Sequence, residues 1–122
     1  MEDSILLTIK PLVNVELDDH DFDTDILVGI NTALSVLSQV GVGPMGGLIV
    51  EDETATWSDL YTDDRLSMVR TFVHIKTKLI FDPPTNSAVL KALEEQASEL
   101  IWRIEVAKDM IEGGAGNGYS VC

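Results

Sequence analysis

Lys78-Leu79-Ile80-Phe81-Asp82-Pro83-Pro84-Thr85-Asn86-Ser87 constrains this chain more than any other stretch, because it places a hard stop between two strongly helical patterns. Asp-Pro-Pro cannot continue a helix. Each proline lacks a backbone N–H, and the residue before each is pushed out of the α region. Thr85, Asn86 and Ser87 then offer side-chain oxygens that can cap a new helix. The segment Phe81, Asp82, Pro83, Pro84 and Thr85 is therefore expected to form a rigid corner that fixes how two amphipathic helices meet.

Around that corner the chain reads as all-α, a small bundle of about four helices. A first short helix is expected over about Ser4 to Leu12, with Ile5, Leu6, Ile9, Leu12 and Val13 along one side and Pro11 ending it. An acidic lead-in, Asp18 to Asp25, precedes a second helix over about Thr24 to Val40, with Asp23 or Thr24 as its cap. Carboxylates there also suit the positive end of the helix dipole. Leu27, Ile30, Leu34 and Leu37 recur three and four apart on that helix. Its other face is small and neutral, through Asn31, Thr32, Ser35 and Ser38. A solvated face usually carries charge, so this one is expected to be covered, by an intermolecular contact first and a second intramolecular layer as the alternative.

Residues 41–56 form a long connection with four glycines and a proline in its first half. Leu48-Ile49-Val50 is a candidate extended segment within it. Trp57 to Tyr61 is expected to form a single anchoring turn. The third helix, about Asp63 to Phe81, presents Leu66, Val69, Phe72, Val73, Leu79 and Ile80 on one side and a basic stripe, Arg70, His74 and Lys78, on the other. The fourth, about Asn86 to Glu112, carries a heptad-like seam of Leu90, Leu93, Ala97, Leu100, Ile104, Ala107 and Ile111. The domain reading is a helical unit over 1–112 and a glycine-rich, flexible tail over 113–122.

Charge narrows the function. Residues 1–64 hold fourteen acids and one base, Lys10, whereas residues 65–122 hold seven of each, so the whole formal charge of −13 lies in the first half. Such a chain is not built to grip phosphate, because counterion release needs Lys and Arg. It suits either simple solubility or a surface that stays near a polyanion without sticking to it. The acidic start at Met1-Glu2-Asp3-Ser4 predicts no secretory signal. The uncharged run Ile26 to Val50 is broken by polar residues and by Gly41-Val42-Gly43-Pro44, and no membrane span is expected. Cys122 is the single cysteine, which excludes an internal disulfide.

Chemistry is sparse. Asp19, Asp21 and Asp23 match the opening spacing of a calcium-binding loop. The position needing glycine is Thr24 and the twelfth is Ile30, so an acidic capping loop is expected instead of a metal site. His20 and His74 are the only histidines, and no metal, phosphate-loop or nucleophile pattern accompanies them. No catalysis, cofactor or metal is expected. Arg70, His74 and Lys78 are expected to form an ion-pair seam with the Glu16 to Asp25 region, drawing on Asp21, Asp23 and Asp25. If the seam lies between chains, the contact is heterologous and closes into a ring when the rotation permits.

Val73-His74-Ile75-Lys76-Thr77-Lys78-Leu79-Ile80-Phe81-Asp82-Pro83-Pro84-Thr85-Asn86-Ser87, followed by Glu94-Glu95-Gln96, Glu99-Leu100 and Trp102-Arg103, resembles the head–tail connector family of long-tailed bacteriophages, also called head completion or adaptor proteins. The resemblance is most specific over residues 70–106. It implies a small α-helical structural subunit of the virion, made in the host cytoplasm, with no enzymatic activity. It also implies a homo-oligomeric ring, taken as dodecameric, beneath the portal protein. That ring would extend the DNA channel without binding DNA specifically, help retain the genome and receive downstream connector, stopper or tail proteins. Portal engagement by the C-terminal end would fall to Tyr119, Ser120 and Val121, and loop 41–56 would touch a neighbour or line the channel. The uncharged face of the second helix and the seam of the fourth suit burial in such an assembly.

Two other readings stay open: an acidic DNA-mimic that inhibits a nucleic-acid-binding host protein, and a regulatory module whose fourth helix forms a coiled coil.

Overall fold

The structure is a computed structural model that describes the backbone of residues 3–116 and the side chains of residues 3–111. Its elements are α1 (Ile5–Leu12), α2 (Asp23–Gln39), the single turn α3 (Trp57–Leu60), a 3-10 turn (Asp64–Leu66), α4 (Met68–Phe81) and α5 (Ser87–Gly116). The described residues form no strand; one isolated antiparallel bridge joins Ser4 to Thr56.

α1 begins where Ser4 accepts from the Leu7 amide at 3.3 Å. Its stop is made by Asn14 and not by Pro11, which sits inside the last turn. Asn14 adopts φ 67°, a left-handed conformation that asparagine tolerates. The Val15 amide then reaches back to the Lys10 carbonyl at 2.9 Å and the Asn14 amide to the Pro11 carbonyl at 3.1 Å. These are the paired bonds of a Schellman ending.

α2 and α4 form the most extensive pairing, α5 packs on α4, and α1 lies against α2. The core joins Ile5 and Ile9 of α1, Ile26, Ile30, Leu34 and Leu37 of α2, and Val69, Phe72, Val73 and Ile75 of α4. Trp57 of α3 is buried with them and anchors the chain as expected. Thr56 and Asp59 cap that turn reciprocally. The sequence pattern places most of these correctly but takes the half-buried Leu27 in place of Ile26, and it misses Ile75 and the close crossing at Gly29, where a Cβ would meet the Cα of Thr77 at 3.1 Å.

The neutral face of α2 is covered in part from within the chain. Asn31 donates to the Val50 carbonyl at 2.9 Å and accepts from the Val50 amide at 2.8 Å, as a strand edge would. Gly47 approaches Ser38 on the same face. The expected intermolecular cover gives way there to an intramolecular layer, because buried Val42 and Val50 tie both ends of the loop to the core. Leu48-Ile49-Val50 pairs with a side chain and forms no strand.

The α5 seam also packs in the same chain. Ala97 and Ile104 are buried, and Leu90, Leu93, Leu100, Ala107 and Ile111 are half-buried against α4 and the 3-10 turn. A coiled coil through that seam would have to displace α4. The helix runs to Gly116, beyond the Glu112 end read from sequence, and Asn117 to Cys122 lie outside the described residues.

Candidate functional site

The acidic lead-in is organised by one buried cation. Lys10 is fully buried, and its Nζ donates to the carbonyls of Leu17 at 3.2 Å and Asp19 at 2.6 Å while standing 2.8 Å from Asp23 Oδ1. His20 Nδ1 lies 2.9 Å from the other Asp23 oxygen. Burial pushes the Asp23 carboxyl up, but the hydrogen bonds from Lys10 and His20 outweigh it and hold the group below 3.8. Asp23 is thus an ion-pair anchor, not the expected cap. The N-cap position falls on Phe22, which makes no side-chain capping bond.

The carboxylates with calcium-loop spacing do not converge. Asp19 accepts from the Asp21 amide at 3.0 Å, and Asp23 is held by Lys10 and His20. Among the described residues no group of three or more His, Cys, Asp or Glu is placed to hold a metal.

The basic stripe on α4 has partners other than the predicted ones. Arg70 donates to the Tyr61 hydroxyl at 2.8 Å, pairs with Asp3 at 3.6 Å and lies 5.1 Å over the Trp57 ring. The His74 ring faces the backbone of Leu12, which favours its charged form; burial nevertheless lowers its pKa below 6.5, and Lys78 lowers it further. Lys78 pairs with Asp82 at 3.6 Å. None of the three reaches the Glu16 to Asp25 region, so the predicted seam is not formed inside the chain. The reason is geometric: Lys10 already occupies the one inward-facing carboxylate, and the α4 stripe faces the start of the chain and the end of α1. The carboxylates of Asp21 and Asp25 have no hydrogen-bond or ion-pair partner among the described residues.

α4 ends at Phe81 and α5 begins at Ser87, with Asp82-Pro83-Pro84 between them. Asp82 leaves the α region before Pro83 (φ −143°, ψ 64°), as a residue preceding proline must. Of the three offered caps it is Asn86 that starts α5, accepting from the Ala88 and Val89 amides at 2.9 and 3.1 Å. Phe81 meets Phe22 edge-on with ring centroids 5.7 Å apart. This aromatic pair helps line a groove of about 610 Å³ between the end of α1, the start of α2 and the corner. Phe22, Val28 and Ile80 stay more than two-fifths exposed beside it.

A second apolar surface escaped the sequence reading. Trp102 and Met110 are 62% and 67% exposed, and Val106 lies between them at 37%. Their spacing of four puts them in one stripe on the outer face of α5. The heptad pattern hid them, because it assigns the apolar residues of α5 to the seam facing α4. Tyr119, Ser120 and Val121 lie outside the described residues. No described helix is long and apolar enough to cross a membrane.

The family described as Phage connector protein matches residues 5–110, nearly the whole helical unit. No curated protein and no solved structure matches the chain. The chain belongs to the phage connector protein family, a structural family of the phage head–tail junction.

Proposed function

We propose that the chain is one subunit of a dodecameric ring that sits beneath the portal, extends the DNA channel, helps retain the packaged genome and receives the tail-side proteins. The family match over residues 5–110 carries this reading. Charge supports it. Six of the eight Lys and Arg side chains lie within 4.0 Å of a carboxylate of the same chain, against a formal charge of −13. Few cations are then left for phosphates, and DNA can pass such a wall without adsorbing.

In this reading Tyr119, Ser120 and Val121 dock on the portal, and exposed Met45 and Ile49 carry loop 41–56 toward a neighbour or the lumen. Asp21 and Asp25 are the members of the candidate contact set that remain free to meet another subunit. The DNA-mimic reading fits less well, since Asp19 and Asp23 are tied up inside the chain.

Electron microscopy of a lysate from phage lacking this gene tests the proposal. Filled or leaking heads separated from finished tails are the expected result. Normal, infectious, tailed particles would overturn it.

A further inference from the structure

The groove beside the corner and the stripe on α5 are apolar features of the described surface that no element of the chain covers. The groove is concave, with Phe22, Val28 and Ile80 exposed at its walls and Phe81 behind them. The stripe is convex, with Trp102 at its N-terminal end and Val106 and Met110 one and two turns beyond. Ile80 and Phe81 end α4 at the corner that leads into α5, whereas Trp102 lies fifteen residues after Ser87, roughly 22 Å along the helix axis. One rigid chain cannot bring the two together.

We infer that the Trp102–Val106–Met110 stripe of one subunit seats in the Phe22–Val28–Ile80 groove of the next copy of this chain. The inference rests on the ring reading above and names its contact surface.

Charge complementarity selects a second copy as the occupant. Asp25 lines the groove and has no partner among the described residues. Arg103 adjoins Trp102, and its present partner is Glu99 of the same helix at 2.7 Å. An exposed pair within one helix contributes little, so Arg103 can exchange Glu99 for Asp25 at small cost. Ion pairs cannot drive the association alone, because each subunit is strongly acidic and most of its cations are engaged internally. Apolar burial must supply the attraction, and a large exposed tryptophan next to an arginine is the composition that anchors protein interfaces. Two different patches meeting make the contact heterologous, the type that propagates from subunit to subunit and closes into a ring.

The experiment uses phage particles complemented with full-length chains in a Cys122→Ser background. Val28→Cys and Val106→Cys are introduced singly and together, and purified particles are oxidised and run without reductant. The double variant is expected to give a ladder of cross-linked chains, and each single variant only monomer. Trp102→Glu, at an exposed position, is expected to keep the wild-type melting temperature while its incorporation into particles drops at least ten-fold. Absence of the ladder, dimers from Val106→Cys alone, or wild-type incorporation of Trp102→Glu would each overturn the inference. Particles that never contain the wild-type chain would instead overturn the connector reading itself.

Discussion

Gly29 and Thr77 bring α2 and α4 together backbone to backbone: a Cβ on Gly29 would stand 3.0 Å from Thr77 Cγ2 and 3.1 Å from its Cα. The crossing lies in the middle of the most extensive helix pair, so neither helix can shift locally to make room. Gly29→Val should destabilise the protein by about 2–3 kcal/mol through overpacking. Urea unfolding monitored by circular dichroism measures it. An unchanged midpoint would mean that the crossing is softer than its packing implies.

The other side of the same contact predicts a gain. Thr77 Oγ1 is buried without a hydrogen-bond partner. Thr77→Val keeps the shape and removes the unsatisfied hydroxyl, and it should stabilise by about 1 kcal/mol. Thermal melts of the two proteins side by side decide the sign.

Lys10 holds two carbonyls and the Asp23 carboxylate from a fully buried position. Lys10→Met should cost about 3 kcal/mol, at the low end for a broken buried pair because Asp23 keeps a quarter of its side chain in solvent. The loss should be accompanied by faster proteolysis within residues 14–22, which Lys10 ties to α1. Asp23 adds an acid dependence. Its folded pKa lies below 3.8, so its contribution is present above that value and is lost as the pH falls through the folded pKa.

His74 acts in a separate pH window. Burial lowers its pKa below 6.5, so the unfolded chain binds the proton more readily than the folded one. Stability therefore rises with pH through this group, is complete above about 6.5 and declines as the pH falls through the folded pKa. Between about pH 7.5 and 5 the wild type should lose more stability than His74→Gln. Parallel curves for the two proteins would contradict this.

Asn31 is the latch of loop 41–56. Asn31→Ala removes both hydrogen bonds to Val50 and should cost about 1–2 kcal/mol. Amide exchange at Val50 should accelerate well beyond that of the α2–α4 core. Uniform acceleration would show instead that the loop opens only with the whole domain.

Local signals determined much of this protein by themselves. The Asp82-Pro83-Pro84 break, a capping residue among Thr85, Asn86 and Ser87, the Trp57 turn and most of the apolar faces of α2 and α4 follow from backbone sterics and from periodicities contained within each segment. The motif around the corner also pointed to the connector family that residues 5–110 match.

Tertiary structure decided what depends on residues far apart in the chain meeting. Nothing near Gly29 announces Thr77, nothing near Asn31 announces Val50, and the acidic lead-in gives no sign that Lys10 reaches its inward carboxylate. The exposed stripe from Trp102 to Met110 was hidden for a related reason: periodicity reveals that α5 has an apolar side, but only packing reveals which apolar residues α4 leaves in solvent. A segment's sequence carries its own dihedral preferences and hydrophobic pattern. The partner that satisfies each polar group or covers each face is set by the geometry of the assembled helices.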